Sequence, residues 1–276
     1  MVGWFLSLML LVSDATVWLR LPGILMFTFM GMVIYRLLKG MDEAKAAYAA
    51  ILFLLAPINL LSVLITTDTP LILWSFISAF FFYKAQQDDN LTNYLLAGLF
   101  LGLAFYSKFF AGLLGLAYFL YIALFIRGQR GLKPYGGVAV ILLGASPFII
   151  LNLIWNYNNC WNNYLFNLLN RTTDAHFSFS TLGIYFGLLT YLITPPIIWY
   201  GFKQPLEKYL KFLQAPLGVF LGLFVLPLFL FFLLAFVKKI GLHWLLSFYP
   251  FLFISVGYLF SHQQLVKTIK FIIPFS

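Results

Sequence analysis

Residues 215–237 read APLGVFLGLFVLPLFLFFLLAFV, 23 positions without a charged side chain. As a helix this run is roughly 35 Å long, enough to cross a hydrocarbon core about 30 Å thick. The apolar residues are continuous and do not alternate with polar ones. An open sheet in lipid would leave backbone N–H and C=O groups unpaired, so the run reads as helix. Working outward, similar runs occupy 1–12, 16–38, 44–65, 70–84, 93–106, 109–126, 135–155, 180–202 and 243–260. The expected fold class is all-α, a polytopic transmembrane helical bundle of about nine or ten membrane segments. The runs 93–106 and 109–126 are parted only by a short polar break, which predicts a tight re-entry at one membrane face.

Composition agrees. The chain has 276 residues, 63% apolar and 9% charged, with a mean hydropathy of +0.95. Soluble domains run about 45–50% apolar and about 25% charged. A water-soluble enzyme, a disordered chain and a disulfide scaffold are excluded, and Cys160 stands alone. Met1–Val12 is apolar from the first residue and lacks a positive n-region, so it does not read as a secretory signal.

The net charge of +9 arises from 17 basic against 8 acidic residues. It does not indicate nucleic acid, because the basic residues sit in short loops between apolar runs. Alternate loops place Arg36, Lys39, Lys45, Lys84, Arg127, Arg130, Lys133, Lys203, Lys208, Lys211, Lys267 and Lys270 on one side, 12 of the 17. That side is expected to be cytoplasmic. No internal repeat divides the chain, and 1–276 reads as a single domain.

Ionisable residues on the other side are few, and charge near a bilayer is costly, so these are the candidate functional groups. They are Asp14, Arg20, Asp68, Lys108, Arg171, Asp174, His176, Lys238, Lys239 and His243. A cation-rich set at the membrane face suits an anionic lipid head group, above all a phosphate or pyrophosphate. Two readings stay open for several of them. Asp68, in Thr66-Thr67-Asp68-Thr69-Pro70, fits a helix N-cap before a first-turn proline as well as a site residue. Lys108, in Tyr106-Ser107-Lys108-Phe109, fits a snorkelling interfacial lysine as well as a phosphate ligand. The amide-rich stretch 156–178 reads either as an interfacial helix or as a polar lid over an outward cavity. Segment 203–214 reads as a surface helix, with Leu206, Leu210 and Leu213 on one side and lysines on the other. No metal-ligand spacing, Walker loop, GxGxxG or GxSxG occurs, so no cofactor or metal is expected, and a divalent-metal requirement is not legible.

Several stretches together resemble one family. Met1-Val2-Gly3-Trp4-Phe5-Leu6, Arg20-Leu21-Pro22-Gly23, Thr67-Asp68-Thr69-Pro70, Tyr106-Ser107-Lys108-Phe109, Leu153-Ile154-Trp155-Asn156 and His243-Trp244 follow in that order, with Thr194-Pro195-Pro196 also fitting. They resemble the GT-C integral-membrane glycosyltransferases related to dolichyl-phosphate-mannose protein mannosyltransferases and to the aminoarabinose transferase of lipid A. The resemblance implies sugar transfer from a polyprenyl-phosphate donor to a lipid or protein acceptor. It places this on the outer (periplasmic) face of a bacterial inner membrane. Arg20, Asp68, Lys108, Arg171 and His243 become the expected substrate and lipid-phosphate residues. In such relatives the catalytic Asp lies in a segment before the run that opens here at Met1. The chain is therefore expected to be shortened at both ends, with little or no transfer by itself. The alternative reading is a non-enzymatic polyprenyl-phosphate-binding or flippase-like membrane protein. A solute transporter is disfavoured, because no apolar run carries a mid-membrane acid.

Overall fold

Proline, glycine and short polar breaks divide the apolar runs, and each break sets a helix end. The computed structural model describes residues 2–61, 68–126, 133–166 and 177–275. Helices α1 (Val2–Leu10) and α2 (Thr16–Lys39) come first. Helix α3 (Glu43–Leu55) begins after Asp42, whose side chain accepts the Lys45 N–H at 3.0 Å, and stops before Pro57, which opens the short α4 (Pro57–Leu61). Next are α5 (Thr69–Asp88) and α6 (Leu91–Ser107), the latter capped by Asn90. A 3₁₀ turn, Phe109–Ala111, leads into α7 (Gly112–Tyr121), which ends in a π turn. The long α8 (Lys133–Asn158) and the short α9 (Asn162–Leu165) follow. The second half comprises α10 (Phe179–Ile193), α11 (Pro195–Phe202), α12 (Leu206–Gln214), α13 (Gly218–Ala235), α14 (Tyr249–Leu259) and α15 (His262–Ile272).

The described residues form an all-α polytopic bundle with no strand. Among the described residues, four helical stretches are long and apolar enough to cross a membrane: Thr16–Lys39, Phe109–Ile126, Pro134–Asn158 and Gly218–Ala235. A fifth is obtained by joining α10 and α11, which bend by 92° at Thr194. The sequence reading counted nine or ten segments because several of its apolar runs form helices shorter than a full crossing: α1, α3, α6 and α14 have 9, 13, 17 and 11 residues. Run 44–65 is interrupted at Pro57, and run 180–202 turns a corner before Pro195. Thr194 sits at φ 72, in the left-handed region a β-branched residue avoids, so the corner is a strained elbow.

The outside of the bundle is what a bilayer requires. Helix α8 exposes Leu142, Leu143, Ile150, Leu151 and Ile154, and only 22% of its most apolar window is buried. In water such a face would be an aggregation site; in lipid it is the solvent-facing side. Several polar groups turn inward and bond there, although Trp74 Nε1 and Ser75 Oγ are buried with no hydrogen-bond partner. On α5, Ser78 Oγ donates to the Ala97 carbonyl at 2.7 Å and lies 2.7 Å from the Tyr118 hydroxyl, while Gln86 Nε2 donates to Tyr94 at 2.9 Å.

Helix α5 packs on α6, and α6 packs closely on α8. The α6–α8 contact depends on Gly98-Leu-Phe-Leu-Gly102, a small-xxx-small pattern the sequence reading passed over. A methyl on Gly98 would overlap the Ile141 carbonyl, one on Gly102 would fall 3.0 Å from Ala145 Cα, and one on Gly144 would fall 2.6 Å from the Leu95 oxygen. Close backbone approach of this kind supplies association where lipid removes the hydrophobic driving force.

The lysine-rich end is held by a separate polar cluster. Lys45 Nζ donates to the Tyr258 carbonyl at 2.9 Å and Lys208 Nζ donates to the Leu259 carbonyl, so two cations meet the C-terminus of α14. Asp42 lies 2.7 Å from His262 Nε2. The Lys45 backbone N–H, and then His262, hold the Asp42 carboxyl below the usual carboxylate range. Loops 36–45, 203–214 and 261–270 therefore meet at one end, as the charge count assigned them.

Gly98→Val is expected to separate α6 from α8 and to cost about 3 kcal/mol of stability, as an overpacked close contact does. Gly183→Ala, where an added methyl meets nothing within 4 Å, is expected to be silent. Thermal unfolding in detergent, followed by helical circular dichroism, compares the two.

Candidate functional site

At the opposite end of the bundle, two helix termini bring one acid and one base together. Helix α5 begins after Asp68, with Pro70 in its first turn. Helix α6 ends at Ser107, and Lys108 follows in extended backbone, φ −154 and ψ 132, before the 3₁₀ turn. Lys108 Nζ donates to Asp68 Oδ1 at 2.6 Å. The carboxylate side chain is 9% exposed and the lysine 25%. Asp68 stands at the cap position of α5, yet its side chain makes no cap bond and reaches Lys108 instead. The capping alternative thus gives way to an ion pair across 40 residues of sequence.

The residues after Lys108 are the hub of this end. Phe109 and Phe110 lie with ring centroids 5.0 Å apart. Phe109 faces Tyr164 of α9 at 6.3 Å, and Phe110 packs against Trp244 at 4.6 Å. Trp244 is 6.2 Å from the His243 ring and carries the Lys238 ammonium 5.7 Å from its centroid. A methyl on Gly241 would crowd His243 Cε1 at 2.7 Å, so glycine lets the 241–244 turn close over these rings. Aromatic stacking thus draws His243 and Lys238 toward the Lys108 turn.

Asn156 and Tyr164 tie α8 to the same hub. The Asn156 amide donates to the Asn152 carbonyl at 2.8 Å and to Asn152 Oδ1 at 3.1 Å, which also accepts from the Tyr164 hydroxyl at 3.1 Å. Part of the amide-rich stretch therefore serves the end of α8 and the turn after it, where Cys160 and Trp161 take positive φ.

Of the five site residues read from sequence, Asp68 and Lys108 are in direct contact, and His243 joins their surroundings through Trp244 and Phe110. Arg20 is exposed on α2, and no hydrogen bond or ion pair joins it to the pair. Arg171 lies outside the described residues, as do Asp174 and His176. Sequence reasoning missed Phe110, Tyr164 and Trp244 as organisers. In a chain that is 20% aromatic, no local signal sets these rings apart.

An all-α membrane bundle that fixes a cation–carboxylate pair at one face is the class of molecule defined here. The chain belongs to the dolichyl-phosphate-mannose-protein mannosyltransferase family, whose model matches residues 1–151. That is a family of membrane glycosyltransferases. The matched part contains both Asp68 and Lys108. No curated protein and no solved structure gives a significant match.

Lys108→Met is expected to lower stability by about 3 kcal/mol, because it leaves the Asp68 carboxylate buried without its counter-charge. The double variant Asp68→Asn/Lys108→Met is expected to recover most of that loss. A double-mutant cycle on unfolding free energies measures the coupling; additive losses would mean the pair is solvent-screened.

Proposed function

We propose that this chain acts in transfer of a sugar from a polyprenyl-phosphate donor to a lipid or protein acceptor. In this reading the donor phosphate binds at the Asp68–Lys108 end. The acceptor hydroxyl attacks C1 of the sugar, the C1–O bond to phosphate breaks, and its electron pair leaves on the polyprenyl phosphate. The acceptor proton passes to a carboxylate base. The observation that carries this reading is the fixed ammonium of Lys108 at the face of the bundle, in a chain of this family.

Charge develops on the leaving phosphate as the bond breaks, and a preorganised cation there lowers the barrier. An ammonium has three N–H donors, and Asp68 is the one described hydrogen-bond partner of Lys108, which leaves donors for phosphate oxygens. Asp68 is a positioning residue here: it holds the lysine in place, and the acceptor's base is not assigned to it. His243, two rings away from the Lys108 turn, is proposed to contact the phosphate or the acceptor. Arg20 and Arg171 are proposed as outer cations that draw the anionic head group in. The lysine asymmetry supports placing this end on the outer side of the membrane; the periplasmic face of a bacterial inner membrane is what the family resemblance adds.

Polyprenyl phosphate titrated into the purified chain in nanodiscs tests the reading. Lys108→Ala is expected to raise Kd at least tenfold, about 1.4 kcal/mol, with Lys108→Arg between the two. Unchanged affinity in Lys108→Ala would remove the lysine from the phosphate site. Tight binding without release of labelled sugar to any acceptor would favour the lipid-carrier reading over the enzyme.

A further inference from the structure

The elbow at Thr194 encloses a groove far along the chain from the Asp68–Lys108 pair. It has a volume of about 590 Å³ and lies between α10, α11, α12, α13 and α14. That falls within the roughly 300–1,000 Å³ of ligand-sized pockets. Its floor is apolar and buried, with Phe224, Leu252 and Val256 each under 9% exposed, whereas its rim residues Val225 and Leu206 are exposed. The groove therefore opens sideways, toward lipid.

The polar side chains inside it are already satisfied. Ser255 Oγ donates to the Phe251 carbonyl, Thr190 Oγ1 to the Phe186 carbonyl, and the Tyr209 hydroxyl to the Gly201 carbonyl. Such a lining offers an occupant no polar partner and suits a hydrocarbon chain. At the mouth the chemistry reverses. Gln204 lines the groove and accepts from Lys208 Nζ at 2.9 Å. Lys203, the residue before it, is exposed and sits 4.4 Å over the Trp199 ring. No described carboxylate pairs with Lys203, and Glu207 on the neighbouring helix is taken by Lys211 at 2.6 Å. The Lys208 ammonium touches Gln204 and Leu259, both of which line the groove, so it puts positive charge at the mouth, and Lys203 follows the lining residue Phe202 in the chain.

An apolar trough with cations at one lip complements one class of molecule. We infer that this groove binds an anionic phospholipid, with one acyl chain against Phe224, Leu252 and Val256 and its phosphate at Lys203 beside Lys208. The basic end of the bundle faces the leaflet where anionic lipids concentrate, which places the ligand within reach. The inference is independent of sugar transfer. It concerns the other face of the membrane, and the bound lipid is retained, with no bond made or broken.

The test uses the full chain in detergent, titrated with fluorescent-tailed phosphatidylglycerol and phosphatidylcholine. Phosphatidylglycerol is expected to bind at least fivefold more tightly. Lys203→Gln should reduce that ratio below two, and Lys203→Arg should restore it. Val225→Trp, which fills the trough from its exposed rim, should weaken both lipids at least fivefold; Leu206→Trp, from the opposite rim, serves should the first variant not fold. Lys108→Ala should leave phosphatidylglycerol binding unchanged. Equal affinities in the wild type, an unaltered ratio in Lys203→Gln, or undiminished binding in both rim variants would overturn the assignment. Full displacement of phosphatidylglycerol by polyprenyl phosphate would also overturn it, by making the groove part of the donor site.

Discussion

Lipid offers no hydrogen bonds, and that constraint governs most of what this chain does. Every backbone group inside the bilayer must find a partner in the protein, so the apolar runs are helical. Polar side chains inside the bundle gain by pairing with one another or with backbone carbonyls. The Ser78–Tyr118 and Gln86–Tyr94 contacts are such pairs in the interior, and Asp68–Lys108 is one near a face. A lone buried charge would cost several kcal/mol. The pair is the form in which a cation is tolerated at that depth, and the same pairing holds its position.

Removing water as a solvent also removes the usual force between helices. What replaces it here is shape. Gly98, Gly102 and Gly144 let α6 and α8 meet backbone to backbone, and this contact carries the α6 terminus on which Lys108 sits. Aromatic rings complete the arrangement at the end of the bundle: Phe110 against Trp244 joins a turn after α6 to a turn after α13. Glycines set the approach of the helices, and rings set the approach of the loops.

The two ends of the bundle are chemically distinct. One gathers lysines around the C-terminus of α14 and the short helices α12 and α15. Among the described residues, the other carries few charges, and Asp68 and Lys108 form an ion pair there. A bias of basic residues toward one end is the signal that orients helices in a membrane. The two ends thus present unlike surfaces to the two sides of a bilayer.

Much of this was legible in the residues alone. Hydropathy is a local property, so runs such as 215–237 declare helices and a membrane without reference to any partner. The count of lysines by loop likewise assigned Lys45, Lys208 and Lys267 to one end. Motif order pointed to the family, and Asp68 and Lys108 were singled out individually. Tertiary structure alone decided that these two touch, since 40 residues separate them and either could have capped a helix or snorkelled by itself. It alone decided that the 180–202 run turns a corner at Thr194 and opens a groove, because a bend depends on backbone dihedrals and packing that hydropathy does not encode. Which of the many phenylalanines and tryptophans organise the site was equally invisible. Ring contacts form between segments distant in sequence, and only the folded chain brings those segments together.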